Sequence, residues 1–317
     1  MGTVVHVEGV RRWWQELAGL VLPAECGGCG SARTVLCPQC RAALSGAVPF
    51  RVRPVPEPPG LPAVHAAARY ADEVRAALLA HKERGALALA RPLGAALAGA
   101  VRAGVGEVGW GEGEGPQPPG DLLLVPVPST RAAVRARGHD PARRIALAAA
   151  GELRRAGVSA RVAAVLRQRR AVADQSGLDS RQRLDNLVGA LTVVPGGARV
   201  LCGGPVVLVD DVVTTGASLA EAARAVRAVR VAGAAERAGQ GESGRCGEEA
   251  KGALCGEGAT AGYVGITRED SRQLSGTEER GVDGVSVRPL DDVGGAGDVL
   301  CAAVVAASPD SFEINRN

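Results

Sequence analysis

The chain has 317 residues, 46% of them hydrophobic but only 2% aromatic, and a formal charge of +3. That length can bury one large core or two modest ones, and the core must be built from Ala, Val and Leu. So nearly neutral a balance does not by itself point to nucleic acid or a membrane surface, and no run approaches the ~18 to 20 apolar residues of a membrane span.

The apolar run Leu17 to Leu22 is short and broken by Gly19, and with Trp13, Trp14 and Glu16 it suits a short amphipathic helix better than a secretory signal. The expected compartment is the cytoplasm, with no membrane insertion. Four of the eight cysteines then fall as Cys26-x-x-Cys29 and Cys37-x-x-Cys40. Two such knuckles offer four thiolates in tight turns, which suits tetrahedral Zn²⁺. Two disulfides or a redox motif are the competing readings. A cytosolic chain disfavours the first, and the duplication at close spacing disfavours the second. A four-thiolate site has no open position, so this Zn²⁺ is expected to be structural and to hold a zinc ribbon over residues 1–48.

A proline-rich connector, Pro49 to Pro62, reads as an extended spacer opening a second domain over residues 49–317. His65 to Tyr70 is predicted as a strand. Helices follow over Glu73 to Ala80 and Leu87 to Val101, then a Gly/Pro/Glu loop, Gly104 to Gly120. Asp121 to Pro128 reads as a strand that its prolines end, because proline removes a ladder donor. Asp140-Pro141 is a helix start, with Asp as N-cap and Pro at the first helical position, and the helix is predicted to reach Arg155. Val162 to Leu166 and Ala190 to Val194 are predicted as short strands, and Val206 to Val209 as a further one. Residues 233–297 lack any lasting period and read as a disordered insertion, before a last strand, Val299 to Ala306. Strands alternating with helices predict an α/β fold with a parallel-rich sheet.

The most informative stretch is Val206 to Leu219, in which apolar residues end in Asp210 and Asp211. The turn Thr214-Thr215-Gly216-Ala217-Ser218 follows, then a helix-forming run. That order places both carboxylates at the carboxyl end of a buried strand, where open α/β sheets bind ligands. The turn aims free N–H groups of a helix start at an anion. Together they suit a ligand with sugar hydroxyls and a phosphate. The four histidines are scattered, and no Ser/His/Asp or Cys/His set stands out. Gly203-Gly204 precedes the strand, whereas a dinucleotide fingerprint needs its glycines after one.

Val206 to Ser218 resembles the phosphoribosyl-pyrophosphate (PRPP) motif of type I phosphoribosyltransferases. Three further features resemble one branch, the ComF family of competence-associated proteins. They are the cysteine knuckles, the segment Leu79 to Gly85, and Val125-Pro-Val-Pro128 followed by Arg131, Arg135 and Arg137-Gly138. Arg167 to Ala190, with Gln175, Arg183 and Asn186, resembles another of its segments. His139-Asp140-Pro141 departs from the family, which usually has an aromatic residue, an asparagine and a glutamine there. The resemblance implies a type I phosphoribosyltransferase fold behind an N-terminal zinc ribbon. It implies that Asp210 and Asp211 are catalytic and face the ribose, and that Thr214, Thr215, Gly216, Ala217 and Ser218 hold the 5′-phosphate. Arg131, Arg135 and Lys82 would take the pyrophosphate, with Mg²⁺ bound alongside PRPP. Residues 167 to 183, including Arg181, would form a hood. The implied activity is phosphoribosyl transfer to an unidentified acceptor. The alternative is a non-catalytic protein of DNA uptake that binds single-stranded DNA and DNA-uptake proteins.

Overall fold

Four strands rich in Val, Leu and Ala lie parallel at the centre of a six-stranded sheet, in a computed structural model that describes residues 25–109, 120–169, 187–246 and 299–308. In chain order the elements begin with helix α1 (Pro38–Ser45), strands β1 (Phe50–Val52) and β2 (Val64–Arg69), and helix α2 (Asp72–Glu83). A 3₁₀ turn, Leu87–Leu89, leads into α3 (Ala90–Glu107), followed by β3 (Leu122–Pro126), α4 (Arg131–Arg137) and α5 (Pro141–Arg155). Next come β4 (Ala160–Val162), β5 (Leu166–Gln168), β6 (Leu191–Val193) and α6 (Gly197–Leu201). The last described elements are β7 (Val206–Val213), α7 (Ala217–Cys246) and β8 (Val299–Ala307).

The sheet order is β1-β2-β8-β7-β3-β4, with only β1 antiparallel, and β5 pairs with β6 in a separate antiparallel ribbon. The α/β, parallel-rich expectation therefore holds. Side chains alternate across each strand. Leu122, Leu124, Val207, Val209 and Ala303 pack on one face with Leu78, Leu93, Leu97 and Ile145 of α2, α3 and α5. Leu123, Val125, Val206, Leu208 and Ala302 pack on the other with Leu219, Ala223 and Val226 of α7. The buried hydrophobic residues are dominated by Ala, Val and Leu, as the shortage of aromatics requires. The small residues let elements approach closely, and a Cβ on Gly94 of α3 would lie 2.4 Å from Ala148 of α5. Cys26, Leu36, Cys37, Cys40 and Leu44 join the first of these clusters, so the cysteine segment packs into the same core as α2 and α3.

Several expectations are corrected. The proline-rich connector contains β1, too short to show alternation. The strand expected over Val162 to Leu166 is instead two short ones, β4 ending at Val162 and β5 beginning at Leu166, with residues 163–165 between them. The loop from Gly104 begins later, since α3 runs to Glu107. After Pro128, where the sequence predicts a loop before the Asp140 helix start, the chain forms the helix α4, capped by Thr130 Oγ1 on Ala133 N at 3.0 Å and ended by Gly138 at φ 75°. The acidic strand does not stop at Val209 but continues to Val213. Residues 233–246, expected to lack structure, continue α7.

The Asp140 N-cap and the helix end at Arg155 are found as expected, with Asp140 Oδ1 accepting from Arg143 N at 3.1 Å. The N-terminal apolar run, most of the hood (with Gln175, Arg181 and Arg183) and residues 247–298 lie outside the described residues. Compact packing divides the chain into Met1–Ala234 with Gly295–Asn317, and Ala235–Gly294. Among the described residues no helix is long and apolar enough to cross a membrane.

Candidate functional site

The two central strands part company at the acids. β3 pairs with β7 up to Pro126 against Val209, and Val127 N donates to Val209 O at 2.9 Å. Pro126 and Pro128 have no N–H to offer, so the ladder ends there. β7 runs on beside β8 alone, with Asp210 opposite Val304 and Val213 opposite Ala307. Where β3 leaves, a cavity of ≈ 420 Å³ opens. Lys82, Ser129, Asp210, Asp211, Thr214 and Ser218 supply its polar wall, and Tyr70, Leu78, Leu79 and Val127 an apolar one.

Because the acids are consecutive within a strand, they leave it on opposite faces. Asp211 follows Val207 and Val209 toward α2, is buried, and its Oδ2 accepts from Lys82 Nζ at 2.8 Å. Asp210 lies on the α7 face, half-buried, and its Oδ1 accepts from Asp211 N at 2.8 Å. Desolvation, then the neighbouring Asp211 charge, pushes the Asp210 carboxyl well above its ordinary range, with Lys82 opposing. Burial on its own would pull the Lys82 ammonium down, but the Asp211 charge outweighs it and holds it above its usual value. Two carboxylates thus share one ammonium.

The turn after β7 leads directly into α7. Gly216 sits at φ 76°, which other residues rarely adopt, and a Cβ there would lie 3.0 Å from Leu61. Ala217 N reaches Thr215 Oγ1 at 3.5 Å as α7 begins. Thr214 and Ser218 line the main cavity, while Thr215, Gly216 and Ala217 line a small cleft of ≈ 30 Å³ that Asp210 also borders. N–H groups at a helix start beside a left-handed glycine favour a phosphate-sized anion.

No protein-family model matches the chain, and no curated protein matches it.

The sequence therefore located Lys82, Asp210, Asp211, Thr214 and Ser218 around one cavity, across 129 residues in the case of the Lys82–Asp211 pair. It did not locate the two arginines there: Arg131 and Arg135 are exposed on α4 and line neither space. Three cavity residues carried no separate sequence signal, namely Tyr70, Ser129 and Glu83. Glu83 accepts two bonds from Arg137, Nε at 2.8 Å and Nη2 at 2.7 Å. The histidines that look scattered in the sequence include a pair, His81 and His139, whose ring centroids lie 5.4 Å apart.

A second constellation lies at the N-terminal segment. The Sγ atoms of Cys26, Cys29, Cys37 and Cys40 all fall within 4.8 Å of one another, and Cys29 and Cys37 are 3.6 Å apart. A tetrahedron of sulfurs at about 2.3 Å from a Zn²⁺ has edges of about 3.8 Å, so the four could hold a metal such as zinc. All four are free thiols. Cys37 caps α1, its own N–H donates to Cys26 Sγ at 3.3 Å, and Cys40 N donates to Cys37 Sγ at 3.5 Å. Burial raises the Cys26 thiol, but backbone N–H donors led by Cys37 outweigh it and bring it to about 6, within reach of the thiolate a metal needs. Burial and its sulfur neighbours push Cys40 the other way. Gly28 is required: a Cβ there would lie 2.7 Å from Cys40 Sγ.

Proposed function

We propose that this protein is a ComF-type phosphoribosyltransferase that binds PRPP in the cavity beside Asp210 and Asp211. The observation that carries this reading is the cavity at the carboxyl edge of the sheet, which joins the acidic pair, Lys82, Thr214 and Ser218. The acids accept from the ribose 2′- and 3′-hydroxyls, and the turn donates its N–H and hydroxyl groups to the 5′-phosphate. The C1–oxygen bond to pyrophosphate breaks, a bond from C1 to an acceptor nitrogen forms, and the acceptor loses a proton. Positive charge gathers on the ribose near Asp210 and Asp211. Negative charge gathers on the departing pyrophosphate, where Lys82, released from Asp211, is the nearest cation on the cavity wall.

The donor set also fits Mg²⁺. Two adjacent carboxylates with one ammonium between them leave an acid whose ionisation is suppressed, and a hard dication relieves that. Asp210 and Asp211 would hold it with the substrate's phosphates, and it would supply charge neutralisation. We assign the four-cysteine cluster to structural Zn²⁺.

Titration calorimetry with Mg–PRPP tests binding, and pyrophosphate release with a panel of amine and base acceptors tests turnover. Binding by the parent protein that disappears in Asp210→Asn and Asp211→Asn supports the reading; equal heats in all three remove it. A second reading draws on Arg131, Arg135, Arg143 and Arg144, all exposed outside the cavity. They offer single-stranded DNA a basic face, with affinity falling steeply as salt rises. Retained oligonucleotide binding in Asp211→Asn, with no pyrophosphate release from any acceptor, favours this non-catalytic role.

A further inference from the structure

His139 stands where its neighbours give it an unusual task. Its ring is buried between α2 and the α4–α5 junction. Nδ1 lies 3.2 Å from the carbonyl oxygen of Arg137, and Nε2 lies 3.2 Å from the carbonyl oxygen of His81. Both nitrogens therefore face acceptors. A neutral imidazole has one N–H and would set its bare nitrogen against one of those oxygens; only the imidazolium donates to both. His81 is complementary. It is fully buried, Nδ1 lies 3.4 Å from Ala86 O, and Nε2 has no close hydrogen-bond partner among the described residues. Burial foremost, with His139 and Arg144 adding to it, pulls His81 below its usual range.

The carbonyl that His139 holds belongs to the residue before Lys82, and Arg137 grips the residue after it through Glu83. The last turn of α2 is thus held on both sides of the lysine, whose ammonium meets Asp211 across the cavity wall. We propose that His139 is a positioning residue for Lys82, acting in its doubly protonated form to fix the end of α2 so that the ammonium stays on the acidic pair. The charged residues next in sequence to the ring's two contacts are Lys82 and Glu83 of α2 and Arg137 of α4, with Asp140 and Arg144 following at the start of α5. Only Glu83 and Asp140 are acidic, and they are engaged by Arg137 and by the α5 N-terminus. As an effect on substrate, the proposal rests on the reading that this cavity binds PRPP; as an effect on Lys82 it does not.

The chain has only two lysines, Lys82 and Lys251, which makes a direct test simple. The full-length protein, as parent, His139→Phe and His139→Gln, is treated with an acetylating reagent at about pH 6 and about pH 8, the span over which an imidazole ordinarily changes charge. Mass spectrometry reads the Lys82 rate relative to Lys251. The parent should protect Lys82 at the lower pH by about tenfold relative to His139→Phe, the worth of one charge-assisted hydrogen bond, and by much less at the higher pH. His139→Gln, whose amide donates to the His81 carbonyl, should show partial protection that does not vary with pH. Should the phenylalanine variant fail to fold, the glutamine variant carries the comparison. Equal Lys82 rates in parent and variants, or protection independent of pH in the parent, overturns the proposal. Mg–PRPP titrations on the same samples separate the two claims. Altered labelling with no PRPP binding even by the parent leaves the positioning role standing and removes the substrate; PRPP binding with unaltered labelling does the reverse.

Discussion

Two acids, eleven residues apart on β7 and α7, have opposite electrostatic fates. Asp210 shares a single ammonium with Asp211, and its carboxyl is pushed up. Glu221 is as buried as Asp211 but accepts from Leu191 N at 2.9 Å and pairs with Arg224 Nε at 2.6 Å and Nη2 at 2.8 Å. Burial alone would raise Glu221, yet the Arg224 bonds outweigh it and bring it below its usual range. Arg224 also donates to Leu191 O at 3.1 Å, so the pair pins α7 to the β5–β6 ribbon. A structural carboxylate has its acceptor capacity filled. The pair at the cavity does not, which suits a site whose partners are exchanged for a ligand.

Exchanging partners at the cavity should have the largest effect. Asp211→Asn is expected to weaken Mg–PRPP about 100-fold, roughly 2.7 kcal/mol, by removing charge-assisted bonds to the ligand, and calorimetry measures it. The complementary change, Arg224→Met, leaves Glu221 buried without its guanidinium. It should cost about 2 kcal/mol in urea unfolding, less than the ~3–5 of a fully buried pair because the Arg224 side chain is half exposed. Its Mg–PRPP affinity should stay within about twofold of the parent, since it removes no cavity contact. A loss of affinity as large as that in Asp211→Asn would erase the distinction between the two acids.

The smallest effect concerns Asp210. Folding disfavours its ionised form, so the folded state keeps the proton to a higher pH than the unfolded chain, whose carboxyl titrates near 3.8. The contribution to stability is whole below that value and is lost as pH rises toward the elevated one. Asp210→Asn should therefore raise the unfolding midpoint near neutrality by roughly 2–4 °C, and the gain should vanish near about pH 4. A gain that grew on acidification would reverse the assigned direction.

Local chemistry made part of this legible in the sequence. The β7 run, the Thr214–Ser218 turn, the Asp140-Pro141 helix start and the cysteine knuckles each depend on neighbours a few residues away. What escaped notice depends on distant residues or on elements too slight to show a period. α4 buries no residue, so it has no apolar stripe to betray it. The early part of α7 alternates as a helix should, but beyond Ala232 its Gly, Glu and Ser content hides the continuation to Cys246. The full length of β7 was masked because two carboxylates inside a strand look like its end. Arg131 and Arg135 were placed by motif alone, and on a short helix their side chains point to solvent instead. Nothing local announces that His139 would meet the carbonyl of a residue 58 positions earlier.

The nine residues of β8 lie between β2 and β7, in the middle of the sheet. During synthesis the acid-bearing strand must therefore wait, one edge unzipped, until Val299–Ala307 has emerged from the ribosome. Only then can β2 and β7 be stitched together. The same geometry means that a cut between α7 and β8 would yield a fragment which a synthetic peptide spanning Val299–Ala307 could complete in trans.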